Sequence, residues 1–263
     1  MNGAAAPEPA VPRTSSSPSP NAAGAGTPGG LRLFGFHHAG GSTSAFAGWQ
    51  RALAGQVEVI PVRLPGRDRT AVAPDYRDIT SLAAALHESL GPQLDEPHVF
   101  YGHSMGALVA YHLTRLRVAG GHRPPRRLMV GAFRAPHLPQ VLDRVRELGD
   151  EELARWLLTL SDLPDDLLSG SRRTHHVALL RRDLGLCASH RPEQPPQPLP
   201  CPIDAIVGAR DPLVAVADAA AWSVHTDRGG SLNVLPGGHF FNREAKERLF
   251  ASLTPLLRLA GAE

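Results

Sequence analysis

From residue 31 to residue 235 the chain repeats one pattern. A short apolar run ends in a turn marked by glycine or proline, and a stretch with apolar residues at helical spacing often follows. The runs are 31–36 (LRLFGF), 57–62 (VEVIPV), 98–101 (HVFY), 128–133 (LMVGAF), 203–207 (IDAIV) and 231–235 (SLNVL). Their length suits strands, and their mostly unbroken apolar character suits strands buried on both faces. Helical spacing covers 79–90 behind Asp78 as a cap, 107–116, and 242–259. Strands alternating with helices predict an α/β architecture, a mostly parallel central sheet flanked by helices.

Two stretches depart from this pattern. Residues from about 138 to 190 are charged, leucine-rich and helical in spacing, with no strand signal. They read as a helical lid inserted into the domain, ended by the proline-rich run 191–202. Residues 1–30 hold almost no large apolar side chain. Such a segment buries too little surface to offset its ordering entropy, so it reads as a disordered tail before a domain spanning 31–263.

Charge excludes some partners. The 27 basic and 25 acidic residues leave a formal net charge of +2, which gives no case for nucleic acid or an anionic membrane. Two cysteines, Cys187 and Cys201, make no disulfide framework, and no apolar run is long enough to span a bilayer. The start of the chain does not read as a signal peptide, so a cytoplasmic location is expected.

Chemistry concentrates in the turns after strands. Gly102-His103-Ser104-Met105-Gly106 has the form G-x-S-x-G, follows an apolar run and opens a helix. That context is what a strained strand-to-helix turn needs to raise a serine hydroxyl clear of a sheet. Ser104 is therefore the candidate nucleophile. A hydroxyl attacks only when a base takes its proton. Among 13 histidines, His239 stands out because it ends a Gly-Gly turn just after the last strand run. Asp211 follows a strand and lies between Ser104 and His239 in sequence, as the acid that orients the base; an Asp-Pro pair is also an ordinary turn former. Asp204, inside a strand, and Asp227, in a polar loop, are weaker rivals. His103 reads as packing around the elbow. The histidines at 37, 38, 175 and 176 lack the Cys or carboxylate spacing of a ligand set, so no metal is expected. A tetrahedral intermediate needs two backbone donors, for which Met105 and, in the turn His38-Ala39-Gly40-Gly41, Ala39 are the candidates.

These motifs occur in one order: Phe36-His37-His38-Ala39-Gly40-Gly41, Leu64-Pro65-Gly66-Arg67, the elbow with Ala107, Arg134-Ala135-Pro136, Asp211-Pro212 and Gly237-Gly238-His239-Phe240-Phe241. Together they resemble the type II thioesterases that accompany polyketide synthases and nonribosomal peptide synthetases. The resemblance runs from about Leu31 to the C-terminal helix. It implies an α/β-hydrolase fold with a helical lid gating an acyl chamber, and no cofactor. It also implies hydrolysis of acyl groups from the phosphopantetheine arms of carrier proteins, clearing aberrant or stalled chains. Its triad falls on Ser104, Asp211 and His239, and its oxyanion donors on Ala39 and Met105. The chain departs from the family at His37, where proline is usual, and in a lid rich in arginine (Arg172, Arg173, Arg181, Arg182). Those arginines could meet an acidic carrier protein, or simply form a solvated helix face, the reading favoured here. The residues alone also admit a small-molecule carboxylesterase, a chain-releasing thioesterase and a non-catalytic docking protein.

Overall fold

Six strands form one sheet: β1 (Arg32–Phe36), β2 (Glu58–Pro61), β3 (His98–His103), β4 (Leu128–Gly131), β5 (Ile203–Gly208) and β6 (Leu232–Leu235). Their order across the sheet is β2-β1-β3-β4-β5-β6, and every pair of neighbours is parallel. The computed structural model describes residues 30–65, 76–139, 145, 147–160, 170–192 and 194–263, without the side chains of 170–173. The tail read from composition, apart from its last residue, lies outside the described residues, as do Gly66, Arg67 and parts of the 138–190 stretch.

A parallel sheet needs a crossover after each strand, and helices supply several of them. Among the described residues the α-helices are α1 (Trp49–Ala52), α2 (Ile79–Leu90), α3 (Met105–Ala119), α4 (Asp150–Leu160), α5 (Gly170–Ala188), α6 (Val216–Ala220), α7 (Phe241–Glu244) and α8 (Lys246–Ala262). Asp78 caps α2 as the sequence suggests. Its side chain accepts from the Ser81 amide at 2.7 Å, and Ser81 Oγ reaches back to the Asp78 amide.

Strand alternation divides the core in two. Phe34, Phe36, Phe100, Leu128, Val130 and Val207 pack with Leu82, Leu86 and Leu108 on one face. Leu33, Val99, Tyr101, Met129 and Ile206 pack with Trp49, Leu249, Leu253 and Leu257 on the other. A third cluster joins α4 to α5 through Leu153, Ala154, Val177, Leu180 and Leu184, with Ala39 packed against it. That last contact brings the two helices to the loop after β1.

Several element ends differ from the sequence reading, β3 for instance running on to His103. The fourth strand stops at Gly131 rather than Phe133, because Ala132 takes a φ of 51° and leaves extended backbone. The helix after the elbow begins at Met105 and runs on to Ala119, its apolar face continuing past Leu116. The closing helix is split at Ala245, whose φ of −127° and ψ of 40° are not helical.

Order and direction position the site. The chain passes from β1 out to β2, then returns to β3 on the other flank of β1. Loops leaving β1 and β3 therefore diverge at the carboxyl edge and open a crevice there. β5 and β6 deliver their loops to the same edge.

At the opposite, amino ends of β4, β5 and β6, one buried ion pair ties the strands together. Arg127 Nε and Nη2 donate to the Asp204 carboxylate at 2.8 and 3.0 Å, and the Ser231 amide and hydroxyl donate to it at 3.0 and 2.7 Å. The carboxylate is fully buried. Removing Arg127 leaves that charge without its cation. Arg127→Ala should cost about 3–5 kcal/mol in unfolding free energy, measured by urea denaturation; a cost under about 1 kcal/mol would show that the pair is not coupled to folding.

Candidate active site

The elbow is built by close backbone approach. A Cβ on Gly102 would lie 2.2 Å from the Gly106 carbonyl oxygen, and one on Gly106 would lie 2.1 Å from the Phe36 carbonyl oxygen. No side chain fits at either position. Between them Ser104 adopts φ 55° and ψ −123°, a conformation costing about 1–3 kcal/mol for a residue with a Cβ. Two bonds hold it: the Ser104 amide donates to the Gly131 carbonyl at 2.7 Å, and the Ala107 amide to the Ser104 carbonyl at 2.8 Å.

Three loops converge on this turn. His239 Nε2 lies 3.0 Å from Ser104 Oγ, and His239 Nδ1 lies 2.9 Å from Asp211 Oδ2. The Asp211 carboxylate is fully buried, and its Oδ1 accepts from the Leu213 and Val214 amides at 2.8 and 3.2 Å. Asp211 is thus both a turn former and an imidazole partner; the sequence presented these as alternatives. A carboxylate on Nδ1 places that proton on Nδ1 and leaves Nε2 free to accept from the hydroxyl. The rival acids are engaged elsewhere, Asp204 by Arg127 and Asp227 at the surface by Arg228.

Sequence reasoning treated His103 as packing, and the structure adds a hydrogen-bonding role. Its Nε2 lies 2.9 Å from the His239 carbonyl oxygen and its Nδ1 3.3 Å from the Tyr101 hydroxyl. A carbonyl only accepts, so Nε2 carries the proton and Nδ1 accepts from Tyr101. Burial, with the neighbouring His239 adding to it, pushes the His103 imidazole down to about 3. A neutral ring therefore straps the His239 backbone to the elbow without placing a positive charge beside it. Glu244 steadies the same loop by accepting from the Gly238 amide at 2.7 Å. Neither role has a sequence signal beyond its nearness to a motif.

The candidate oxyanion donors sit around the same point. Met105 is the first residue of α3, where amides have no partner within the helix. Ala39, Ser104, Met105 and His239 all line one small cavity of about 30 Å³, whose apolar walls include Trp156, Leu160, Leu180, Leu184 and Cys187. His38, Ala39, Leu157 and Phe240 also line a wider cleft of about 410 Å³, which continues to His175, His176 and Arg243. The hydroxyl thus faces a narrow apolar chamber next to a broad polar-rimmed cleft. Of the lid arginines, Arg181 donates to Asp150 and to the Leu148 carbonyl at 2.7 and 2.9 Å, tying α5 to the start of α4. Arg172 and Arg173 lie among the side chains not described.

Comparison with known proteins agrees with this chemistry. Residues 31–257 match the thioesterase domain family model. The chain belongs to the thioesterase family. Among relatives, it is 36% identical over 231 residues to the protein named linear gramicidin dehydrogenase LgrE of Brevibacillus parabrevis, covering 86% of this chain and 87% of that one. The dehydrogenase activity in that name is said of that relative alone; a hydroxyl, an imidazole and a carboxylate in hydrogen-bonding line are groups able to carry out acyl transfer. Among solved structures, the RedJ thioesterase from the prodiginine biosynthetic pathway of Streptomyces coelicolor matches with 36% identity and a TM-score of 0.80, covering 90% of this chain and 96% of that one. The type II thioesterase BorB from the borrelidin biosynthetic cluster matches with 30% identity and a TM-score of 0.76, covering 88% and 94%. The thioesterase has the α/β-hydrolase fold expected from its motifs.

His103 is one of several buried imidazoles in the thioesterase. Burial pushes His98 and His225 down to about 4 and His112 to about 3, and holds His38 well below its ordinary value. Each folded pKa is depressed from about 6.5, so the unfolded chain binds more protons in the acid range. This contribution to stability is present above pH 6.5 and is lost as pH falls toward 4. The urea midpoint should drop steadily between pH 7 and pH 4.5; a flat profile over that window would mean the imidazoles are protonated in the folded state.

Proposed function

We propose that this thioesterase hydrolyses acyl groups from the phosphopantetheine arms of carrier proteins and so removes aberrant or stalled chains in polyketide or nonribosomal peptide assembly. The observation that carries the reading is the Asp211–His239–Ser104 relay, opening on an apolar chamber that adjoins a wide cleft. A chamber bounded by Leu160, Leu180 and Leu184 suits an acyl chain. A cleft rimmed by His175, His176 and Arg243 suits a long polar arm ending in a phosphodiester. The relation to RedJ and BorB supports the pathway class. Two buried free thiols, Cys187 and Cys201, fit work in a reducing cytoplasm, where carrier proteins act.

In this reading Ser104 Oγ attacks the thioester carbonyl carbon as His239 Nε2 takes its proton. The carbonyl oxygen becomes an oxyanion facing the Ala39 and Met105 amides. When the intermediate collapses the C–S bond breaks, and His239 returns the proton to the departing sulfur. Water then adds to the acyl-serine with His239 again as base, and release of the acid restores the hydroxyl. The Asp211 carboxylate on Nδ1 orients the ring and stabilises the imidazolium. Helices α4 and α5 form the lid over this chamber, as an insertion in a single domain spanning 31–263.

The test is hydrolysis of carrier proteins loaded with acetyl, propionyl and longer acyl groups, set against a matched oxygen ester. The parent should cleave the thioesters with the higher kcat/KM, and Ser104→Ala should lose about 10⁴- to 10⁶-fold in kcat. Parent-like turnover by Ser104→Ala would overturn the assignment of the nucleophile. Faster cleavage of the oxygen ester would favour a carboxylesterase, and hydrolysis confined to long chains would count against an editing role.

A further inference from the structure

The oxyanion loop is fastened to the lid by one buried carboxylate. Asp183 lies on α5, is 1% exposed, and accepts from the Gly40 amide at 2.6 Å across 143 residues of sequence. A distance that short marks a charge-assisted bond. Around it α5 turns apolar side chains inward: Leu180, Leu184 and Cys187 line the chamber at Ser104. Gly40, with φ 71°, packs directly on Leu180; a Cβ there would lie 3.5 Å from the Leu180 Cβ.

This bond decides which amide of the loop is left for substrate. The loop offers three consecutive donors at residues 39, 40 and 41. The Gly41 amide donates to the His38 carbonyl at 3.0 Å, closing the turn. The Gly40 amide is taken by Asp183. Ala39's amide has no acceptor among the described residues, and Ala39 lines the chamber beside Ser104 and Met105. A donor serves an oxyanion only when it is already aimed, since reorientation during reaction forfeits the gain. A buried carboxylate near a site of developing negative charge is electrostatically adverse, so a geometric role is the one that fits its place.

We propose that Asp183 is a positioning residue: by holding the Gly40 amide it aims the Ala39 amide at the oxyanion and keeps the hole formed only while α5 is seated on the loop. The inference rests on the reading of Ser104 as nucleophile. Lid position and transition-state stabilisation become one variable, because the helix that walls the chamber also anchors the donor loop.

The test compares parent, Asp183→Ala and Asp183→Asn in thioester hydrolysis, with thermal melting as the check on folding. Asparagine keeps an oxygen acceptor at the same reach, whereas alanine removes it. Asp183→Ala should lose about 30- to 300-fold in kcat, somewhat less than the roughly 10²- to 10³-fold cost of removing an oxyanion donor outright, with KM changed less than about threefold. Its affinity for a trifluoromethyl ketone analogue, which forms an oxyanion on Ser104, should fall in parallel. Asp183→Asn should stay within about fivefold of the parent on both measures, since only the charge assistance is lost. Should the alanine variant not fold, Asp183→Val, which removes the acceptor while filling more of the space than alanine, carries the same expectation. The proposal is overturned by parent-like kcat in the acceptor-free variant, by a loss confined to KM, or by an equal loss in Asp183→Asn. A Ser104→Ala variant run alongside separates the two failures. If it is inert while Asp183→Ala matches the parent, only the positioning role falls. If it is active, the nucleophile assignment falls instead.

Discussion

The contact between Gly106 and the Phe36 carbonyl is the constraint on which the site depends. A methyl at residue 106 would sit 2.1 Å from that oxygen, so α3 begins against the last turn of β1. One approach fixes two things. It seats the strained turn carrying Ser104, and it brings the loop after Phe36 alongside the first amides of α3. Both candidate oxyanion donors follow from it, one at the start of the helix and one in the loop. The strain at Ser104 is sustained because the surrounding register leaves the chain no other path: Phe36 pairs with Gly102, and the Ser104 amide continues the ladder to Gly131.

Charge is managed around this point by keeping rings neutral. His38, His103 and His239 lie close together, with ring centroids 6.2 Å apart for the first two and 5.9 Å for the last two. A positive charge on His38 or His103 would repel one forming on the neighbouring His239 imidazole. Burial holds His38 and His103 neutral and so removes that repulsion. What remains of each is its hydrogen-bonding and packing value. His103 straps the His239 backbone, and His38 stands edge-on to Phe240 at 4.9 Å, beside the loop that carries Ala39.

Much of this was legible in the sequence for a geometric reason. In an all-parallel sheet every strand ends at the same edge, so a residue just after an apolar run is already near every other such residue. Ser104, Asp211 and His239 each follow a strand, and the structure brings these three candidates within hydrogen-bonding reach of one another. Signals of local backbone were weaker. Nothing about alanine marks Ala132 as the residue that ends β4, or Ala245 as the break between α7 and α8. Asp183 was hidden differently. Beside Arg181 and Arg182 it looks like one more charge on a solvated face. Helical phase gives the opposite reading, because positions 180, 183, 184 and 187 share one face and three of them are apolar. An acid inside an apolar stripe is a signal that it has a buried donor to meet, and that donor, a glycine amide 143 residues earlier, has no side chain to advertise it.

The two cavities divide recognition between the sheet and the lid. Loops at the sheet edge supply the candidate reacting groups, and the elbow among them is set by backbone contacts that tolerate no side chain. Helices α4 and α5 supply the walls of the chamber through Trp156, Leu157, Leu160, Leu180, Leu184 and Cys187. At about 30 Å³ the chamber has room for little beyond the atoms adjoining a carbonyl, while the adjoining cleft is more than ten times larger. A substrate with a long arm and a small acyl group fits this division as it stands, whereas a longer acyl group needs α4 and α5 to yield. Because α5 also carries Asp183, yielding would loosen the loop that carries Ala39, the candidate donor. A bulky acyl chain would then meet a weaker oxyanion hole as well as a tighter wall, so selectivity would appear in kcat and not only in binding.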